Sequence, residues 1–371
     1  MNLKIGIVGL PNVGKSTLFN ALTKSQKADA QNFPFCTIDP NIGIVEVPDQ
    51  RVDKLAEIVK PNKVVRSAVE FVDIAGLVAG ASEGEGLGNK FLSHIRECDA
   101  IAHVIRAFES TDIHHVSGSI DPARDLDIIM TELILADLES VNRQLERVAK
   151  KAKSGDKESQ IALGLLEKIK STLEDGKLSS TVEIENKEKE GPLMKSFQLL
   201  TRKPYLVVAN VAENQFAGFD TEALRKKLIS ASSQQLENVS IVPICARIEE
   251  ELGQLEREEA QMFLEELGAS RSGLESLTQE SFRLLGLQSY FTAGVQEVRA
   301  WTIYRGDTAP RAAGAIHTDF EKGFIKADVI AYQDFIDNGG EQGAKEAGKM
   351  RLEGKEYIVA DGDVMHFKFS S

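Results

Sequence analysis

Cysteine is scarce in this sequence of 371 residues, and the three that occur, Cys36, Cys98 and Cys245, are scattered along the chain. They form neither the closely spaced framework of a disulfide-stabilised secreted domain nor a cluster of zinc ligands. The sequence has no apolar run near the length of a membrane span, and its first residues lack the charged-then-apolar pattern of a secretion signal. These absences predict a protein of the reducing cytoplasm.

Basic residues are also in the minority, because 44 Lys and Arg stand against 57 Asp and Glu, a formal net charge of −13. Surfaces that bind nucleic acid or membranes without specificity are usually basic. The charge balance therefore argues against such broad binding, although it allows a basic face locally. The length has room for about two or three domains.

The most specific motif is G-L-P-N-V-G-K-S-T at residues 9–17. Its spacing matches the phosphate-binding loop G-x-x-x-x-G-K-[ST], and it lies between an apolar strand pattern at 3–8 and a helical stretch at 16–22. In such a loop the backbone N–H groups and the following helix dipole bind phosphate, while Lys15 reaches the β- and γ-phosphates and Ser16 ligates Mg²⁺. The loop residues predicted to bind the nucleotide are Asn12, Val13, Gly14, Lys15, Ser16 and Thr17.

A second motif, D-I-A-G at residues 73–76, follows another apolar strand pattern. Asp73 is expected to hold Mg²⁺ through water, the Gly76 N–H to contact the γ-phosphate, and Thr37 in the preceding loop to supply a second hydroxyl ligand. The sequence therefore predicts a Mg²⁺ site formed by Ser16, Thr37 and Asp73, with two loops that respond to the γ-phosphate.

The next position departs from ordinary GTPases, because Leu77 stands where many of them place a glutamine that orients the attacking water. Leucine cannot hydrogen-bond water, so hydrolysis is expected to be slow unless another group substitutes. His114 and His115 are both candidates, since a neutral imidazole can position or deprotonate water. Asn12 suggests K⁺ as a further source of positive charge at the phosphates.

The segment expected to contact the base also departs from the guanine-specific pattern N-K-x-D, because residues 210–213 read N-V-A-E. Val211 lacks the lysine stem that covers the base, and the Glu213 carboxylate extends about one methylene, roughly 1.5 Å, further than an aspartate would. These changes weaken the case for guanine and leave adenine open. The predicted base contacts are Asn210, Val211 and Glu213.

From about residue 131 the apolar residues recur at alternating four- and three-residue steps, with a break at residues 154–156. This pattern predicts two helices that form an antiparallel coiled-coil hairpin. Its basic residues are expected to concentrate towards the tip, where they form either a solvated face or a docking surface for RNA or an acidic partner. They are Arg143, Arg147, Lys150, Lys151, Lys153 and Lys157.

Apolar patterns elsewhere predict strands at 42–47, 69–73, 101–106, 205–210 and 240–245, and helices near 255–268 and 274–286. Beyond about residue 288, short strands and one helix indicate a compact α+β unit. We therefore expect an α/β fold, a doubly wound sheet of the P-loop GTPase type formed by residues 1–130 and 197–287. The helical hairpin, residues 131–196, is inserted into it, and the α+β domain covers residues 288–371.

Taken together, these motifs resemble the YchF/Obg-like ATPase family over essentially the whole chain. The resemblance is carried by residues 9–17 and 210–213 and by N-F-P-F-C-T, F-V-D-I-A-G-L-V, G-E-G-L-G-N and F-T-A-G-V-Q-E-V-R-A-W-T-I. It implies slow, Mg²⁺-dependent hydrolysis with a preference for ATP over GTP, ribosome binding and a role in oxidative stress. The C-terminal stretch resembles a TGS domain, a β-grasp module. The family's proposed catalytic histidine precedes V-S-G, which corresponds to His115.

The resulting prediction is an ATP-hydrolysing regulatory switch, in which Lys15 and His115 act on the phosphates and the water. Two other functions stay open. One is a GTP-specific translation GTPase of the Obg type. The other is a ribosome- or RNA-binding adaptor in which the nucleotide is only a structural ligand.

Overall fold

The computed structural model describes residues 3–25, 41–74, 87–108, 120–231 and 238–370. The strands in these ranges are β1 (Lys4–Val8), β2 (Ile42–Glu46), β3 (Lys63–Val65), β4 (Ala68–Asp73), β5 (Ala100–Arg106), β6 (Tyr205–Asn210), β7 (Ile241–Ile244), β8 (Leu287–Ala293), β9 (Glu297–Tyr304), β10 (Phe324–Ile330), β11 (Arg351–Glu353) and β12 (Val364–Phe369). The helices are α1 (Lys15–Ser25), α2 (Gln50–Val59), α3 (Leu87–Glu97), α4 (Pro122–Lys153), α5 (Lys157–Glu174), α6 (Lys187–Ser196), α7 (Thr221–Ala231), α8 (Ala246–Leu252), α9 (Arg257–Glu266), α10 (Gly273–Leu284), α11 (Ala309–Gly314), α12 (Thr318–Lys322), α13 (Tyr332–Asp337) and α14 (Glu341–Glu346). Among these helices, none is long and apolar enough to cross a membrane.

The first sheet has the strand order β2-β4-β1-β5-β6-β7. Strand β2 runs antiparallel to β4, and the other neighbours are parallel. Parallel strands are covered on both faces and therefore read as continuous apolar runs, and β5 is buried along its whole length. The doubly wound α/β fold is confirmed, as are the strands predicted from apolar runs and the helices α9 and α10. Helices α2, α3, α6, α7 and α8 and strand β3 were not predicted.

Helices α4 and α5 form the predicted pair, with the break between them at residues 154–156. Seam residues such as Val141, Leu166 and Ile169 are buried in one apolar cluster that α4 and α5 share with β6 and α6. Helix α4 begins at Pro122, before the predicted start near residue 131, because the Asp121 side chain caps it and proline suits the first helical turn.

The second sheet has the order β11-β10-β12-β8-β9-β3. Four short helices, α11 to α14, accompany its strands, so the single helix predicted in this region is wrong. Each of them has five or six residues. A helix this short shows too little of the 3.6-residue period to be recognised in a sequence.

Helix α2 and strand β3 connect the two sheets, because both lie between β2 and β4 in the chain but pack with the second sheet. Strand β3 pairs in parallel with β9. Val52 and Leu55 of α2 are fully buried in one cluster with Phe291 and Phe335. The guanidinium of Arg51 lies 5.1 Å from the centre of the Phe291 ring. The predicted domain boundaries stay a prediction, but residues 50–65 pack against the C-terminal strands.

We predict that Leu55→Ala destabilises the second sheet by about 2–5 kcal/mol, because it leaves a cavity in the cluster with Phe291 and Phe335. Urea unfolding followed by Trp301 fluorescence measures this, since Trp301 in β9 is the single tryptophan of the chain. The neighbouring exposed Lys54→Ala is the control and should change little. Identical transitions for the two variants would contradict the assignment of α2 to this core.

Candidate functional site

The glycine loop of residues 9–14 joins the carboxyl end of β1 to the start of α1, as the motif predicts. Strand β1 lies between β4 and β5 in the middle of the sheet. The loop that follows it lies outside the carboxyl ends of the parallel strands, where ligands bind in doubly wound folds. Gly14 has φ +101°, and a Cβ there would lie 2.2 Å from Asn210 Nδ2. Only glycine therefore fits this position while Asn210 stays in place.

The Lys15 ammonium lies inside the loop, with 8% of the residue exposed. Its Nζ donates hydrogen bonds to the carbonyl oxygens of Gly9 at 2.7 Å and Leu10 at 2.8 Å. Burial lowers the pKa of Lys15 to about 8, and the nearby charge of Asp73 opposes this shift. The side chain is thus held beside the loop amides with much of its hydration already removed.

Asp73 and Ser16 are the two predicted Mg²⁺ ligands that fall in the described residues. Asp73 ends β4 and pairs in register with Ile7 of β1. Burial raises the pKa of Asp73, and the Lys15 charge opposes that rise. The exposed Ser16 lies in the first turn of α1. Carboxylate and hydroxyl oxygens are the ligands that Mg²⁺ prefers, so this donor set fits the ion.

Asn210 joins the phosphate loop to the opposite side of the site. Its Nδ2 donates to the Val13 carbonyl at 2.9 Å, and its Oδ1 accepts from the Ala246 N–H at 3.3 Å. Asn210 is buried, so both hydrogen bonds are shielded from water. The residue predicted as a base contact is therefore also a brace between the loop, β6 and α8.

The other two predicted base contacts differ in exposure. Val211 is 2% exposed and belongs to the apolar cluster of α4 and α5, so its side chain offers a ligand almost no surface. Glu213 is exposed and begins a short 3₁₀ turn. Of the departures from N-K-x-D, the glutamate is the one that faces solvent.

Arg106 was missed by the sequence analysis, although it is fully buried at the end of β5 and pairs in register with Asn210. Its Nε donates to the Phe108 carbonyl at 3.2 Å, and the guanidinium lies 4.6 Å from the centre of the Phe108 ring. The available signal was an arginine that closes a strand whose other residues, apart from His103, are apolar. It adds a buried positive charge to the sheet edge that carries Lys15.

Several predicted site residues lie outside the described residues. They are Thr37, Gly76, Leu77, His114 and His115. Their predicted roles stay predictions. The structure brings together Gly14, Lys15, Asp73 and Asn210, with Asn12, Ser16 and Thr17 exposed on the loop and first turn of α1.

Comparison with known proteins gives matches along the whole chain. A family model described as a 50S ribosome-binding GTPase matches residues 4–151, and the model YchF-GTPase_C, described as a protein of unknown function (DUF933), matches residues 287–370. The chain is 56% identical to the protein named ribosome-binding ATPase YchF of Haemophilus influenzae and 55% identical to that of Bacillus subtilis, with 100% of each chain covered. The solved structure of the Schizosaccharomyces pombe YchF GTPase is similar with a TM-score of 0.86 and 41% identity, over 99% of this chain and 98% of that one.

We predict that Asn210→Ala destabilises the nucleotide-free protein by roughly 2–4 kcal/mol, because it leaves a buried carbonyl and a buried N–H without their partner. Thermal unfolding without nucleotide measures this effect. Asn214→Ala, an exposed asparagine on the adjoining turn, is the control and should stay within about 0.5 kcal/mol of wild type. Equal stability of the two variants would mean that Asn210 does not act as a brace.

The lowered pKa of Lys15 predicts that nucleotide affinity depends on pH. Below pH 8 the free protein already carries the Lys15 charge that a phosphate needs, whereas above it binding must be accompanied by proton uptake. Affinity should therefore fall as pH rises from 8 to 9.5, by up to about tenfold per pH unit. Titrations at several pH values test this, and Lys15→Arg, which stays charged throughout, should bind without this dependence. A constant wild-type affinity would contradict the prediction.

Proposed function

Because the chain belongs to the YchF family, we propose that it is a cytoplasmic P-loop ATPase that binds the ribosome and acts there as a nucleotide-dependent regulatory switch. The observation that carries the nucleotide part is the braced phosphate loop, in which Gly14, Lys15 and Asn210 fit one another. The ribosome part rests on the names of the relatives from Haemophilus influenzae and Bacillus subtilis. A role in stress response is part of the same proposal and rests on the family resemblance.

Different groups of the site are proposed to bind the phosphates and Mg²⁺. The backbone N–H groups of residues 12–17 and the N-terminus of α1 bind phosphate oxygens, and Lys15 exchanges its two loop carbonyls for phosphate. Ser16 and Asp73, together with Thr37, would hold Mg²⁺, which when bound supplies positive charge to the β- and γ-phosphates. The buried Arg106 adds a positive charge at the end of the neighbouring strand β5. The Gly76 N–H would contact the γ-phosphate.

Hydrolysis is proposed to be slow, because Leu77 replaces the glutamine that positions water in ordinary GTPases. We assign the positioning of water to His115, with His114 as the alternative one residue earlier. Asn12 lies in the left-handed region with φ 63° and is exposed on the loop, a position from which its side chain can help hold K⁺ at the phosphates. Hydrolysis that is equal in Na⁺ and K⁺ would remove the K⁺ site.

Adenine is the proposed base, since the exposed Glu213 replaces the aspartate that binds guanine and Val211 is turned into the core. The names of the relatives differ on this point, because the bacterial proteins are called ATPases and the Schizosaccharomyces pombe protein a GTPase. A GTP-specific translation GTPase is therefore the second candidate. The choice of nucleotide has to be measured on this chain.

The first test is calorimetric titration of the nucleotide-free protein with ATP and GTP analogues, in Mg²⁺ and K⁺. We expect ATP to bind at least tenfold more tightly, a difference of about 1.4 kcal/mol. Tighter binding of GTP would contradict the proposed base and favour the Obg-type GTPase.

The second test is co-sedimentation with ribosomes, with ATP, with ADP and without nucleotide. A switch should pellet to different extents in these states, and Lys15→Ala should lose the difference. If Lys15→Ala abolishes turnover but pellets as wild type does, the nucleotide is only a structural ligand and the adaptor function replaces the switch.

A further inference from the structure

A cavity of about 540 Å³ lies in the second sheet, at the place where β12 separates from β8. Strand β12 pairs with β10 over residues 364–369. On its other side a single register pair, Val364 with Phe291, joins it to β8. Beyond that pair β12 borders the cavity, and the β8–β9 turn, residues 292–297, forms another of its walls.

The side of β12 that borders the cavity carries backbone groups without a strand partner. The N–H of Phe291 donates to the Asp363 carbonyl at 2.8 Å, so Asp363 directs its backbone groups towards β8. Every second residue of a strand directs its N–H and C=O to the same side. Phe367, an even number of residues further on, therefore directs these groups towards the cavity, where no described strand pairs with it. Such an edge is a template for a further strand.

Both faces of the sheet supply apolar walls to the cavity. The cluster that packs against α11 contributes Ile316, Phe320, Met365 and Phe367, and the cluster shared with α13 contributes Ile330, Phe335, Met350 and Val364. A strand in the plane of a sheet directs successive side chains to its two faces, so one extended segment would reach both walls. The volume lies in the range of about 300–1,000 Å³ that is typical of ligand pockets, which suits a few residues and not a folded element.

The charged side chains that line the cavity are carboxylates. They are Glu297, Asp328 and Glu341, and no lysine or arginine is among the described residues of the lining. Lys368 lies 2.7 Å from Asp328 and Arg299 lies 3.8 Å from Glu297, but neither cation belongs to the lining. Glu341 is exposed and forms no ion pair with a described residue. The cavity is therefore complementary to a ligand that carries positive charge next to apolar groups.

We propose that an extended segment of a partner protein binds in this cavity, pairs with the free side of β12 and places a lysine or arginine beside Asp328 and Glu341. Strand addition of this kind takes its affinity from main-chain hydrogen bonds and its specificity from pockets for alternate side chains. The segment should therefore carry apolar residues at alternate positions, with a basic residue between or beside them. The site lies in the second sheet and does not rest on nucleotide or ribosome binding.

The first experiment is selection from a phage-displayed library of random short peptides on the immobilised full-length protein. We expect the selected peptides to share alternate apolar residues and a neighbouring lysine or arginine. A fluorescein-labelled synthetic peptide of that consensus should bind in solution, and its affinity should fall as KCl is raised, because salt screens its attraction to the carboxylates. A selection that yields no binders, or binders without this pattern, would overturn the proposal.

The cavity variant Val295→Lys/Glu341→Lys places the site of binding. Val295 is 67% exposed on the β8–β9 turn and Glu341 is exposed on α14, so both changes leave the core intact. Anisotropy should show that this variant binds the consensus peptide at least about tenfold more weakly than wild type, because it loses apolar contact and reverses the charge that the basic residue needs.

Leu352→Lys/Glu346→Lys is the matched control. It makes similar changes at an exposed leucine of β11 and at a second exposed glutamate of α14, and neither residue lines the cavity. It should bind the peptide within about twofold of wild type. Both variants should unfold at the wild-type temperature and bind ATP as wild type does. A peptide that both variants weaken equally, or that the cavity variant binds normally, would bind elsewhere and contradict the proposal.

Strand pairing is tested with two further consensus peptides, N-methylated at alternate residues on opposite edges. An N-methyl group removes the backbone donor, so the peptide blocked on the edge that pairs with β12 should lose binding while the other keeps it. Loss in both, or in neither, would mean that the segment does not add as a strand. Sedimentation equilibrium checks the competing occupant: self-association of wild type that the cavity variant abolishes would assign the cavity to a second copy of this chain and overturn the partner proposal.

Discussion

The nucleotide site depends on one buried amide. Asn210 connects the Val13 carbonyl in the phosphate loop with the Ala246 N–H at the start of α8, and its Nδ2 occupies the space that a Cβ on Gly14 would need. The loop after β1 and the loop after β6 are therefore held at a fixed separation. In the function proposed above, a nucleotide would span this gap, with its phosphates on the first loop and its base near the second. The loop after β1 has no regular secondary structure of its own, so this cross-connection ties it to β6 and α8.

Buried charged side chains are concentrated at the carboxyl ends of the same strands, and burial removes the hydration that stabilises their charged forms. Lys15 and Arg106 are buried, and burial shifts the pKa values of Lys15 and Asp73 in the directions that disfavour their charged forms. The mutual attraction of Lys15 and Asp73 offsets part of the cost of burying their charges. A polyanion accompanied by a cation would bring further opposite charges to Lys15 and Asp73, and Lys15 would exchange its two loop carbonyls for the phosphates.

The segment between β2 and β4 connects the two sheets of the molecule. Strand β4 ends at Asp73 in the nucleotide site, while α2 and β3, which precede it in the chain, are packed in the second sheet. Arg51 of α2 reaches the C-terminal strands through an ion pair with Asp361 at 3.0 Å, and it also pairs locally with Asp49 at 2.8 Å.

The sequence alone determined the features that depend on local pattern. The spacing of Gly9, Gly14 and Lys15 identified the phosphate loop, continuous apolar runs identified the strands of the first sheet, and the break at residues 154–156 separated α4 from α5. Only the tertiary structure decided which distant residues meet. It placed β3 beside β9, turned Val211 into the core and showed that Asn210 braces the loop. The physical reason is that a local pattern records the period of a strand or helix and which of its sides is apolar, whereas a contact between distant segments depends on how whole elements pack, which no short stretch of sequence contains.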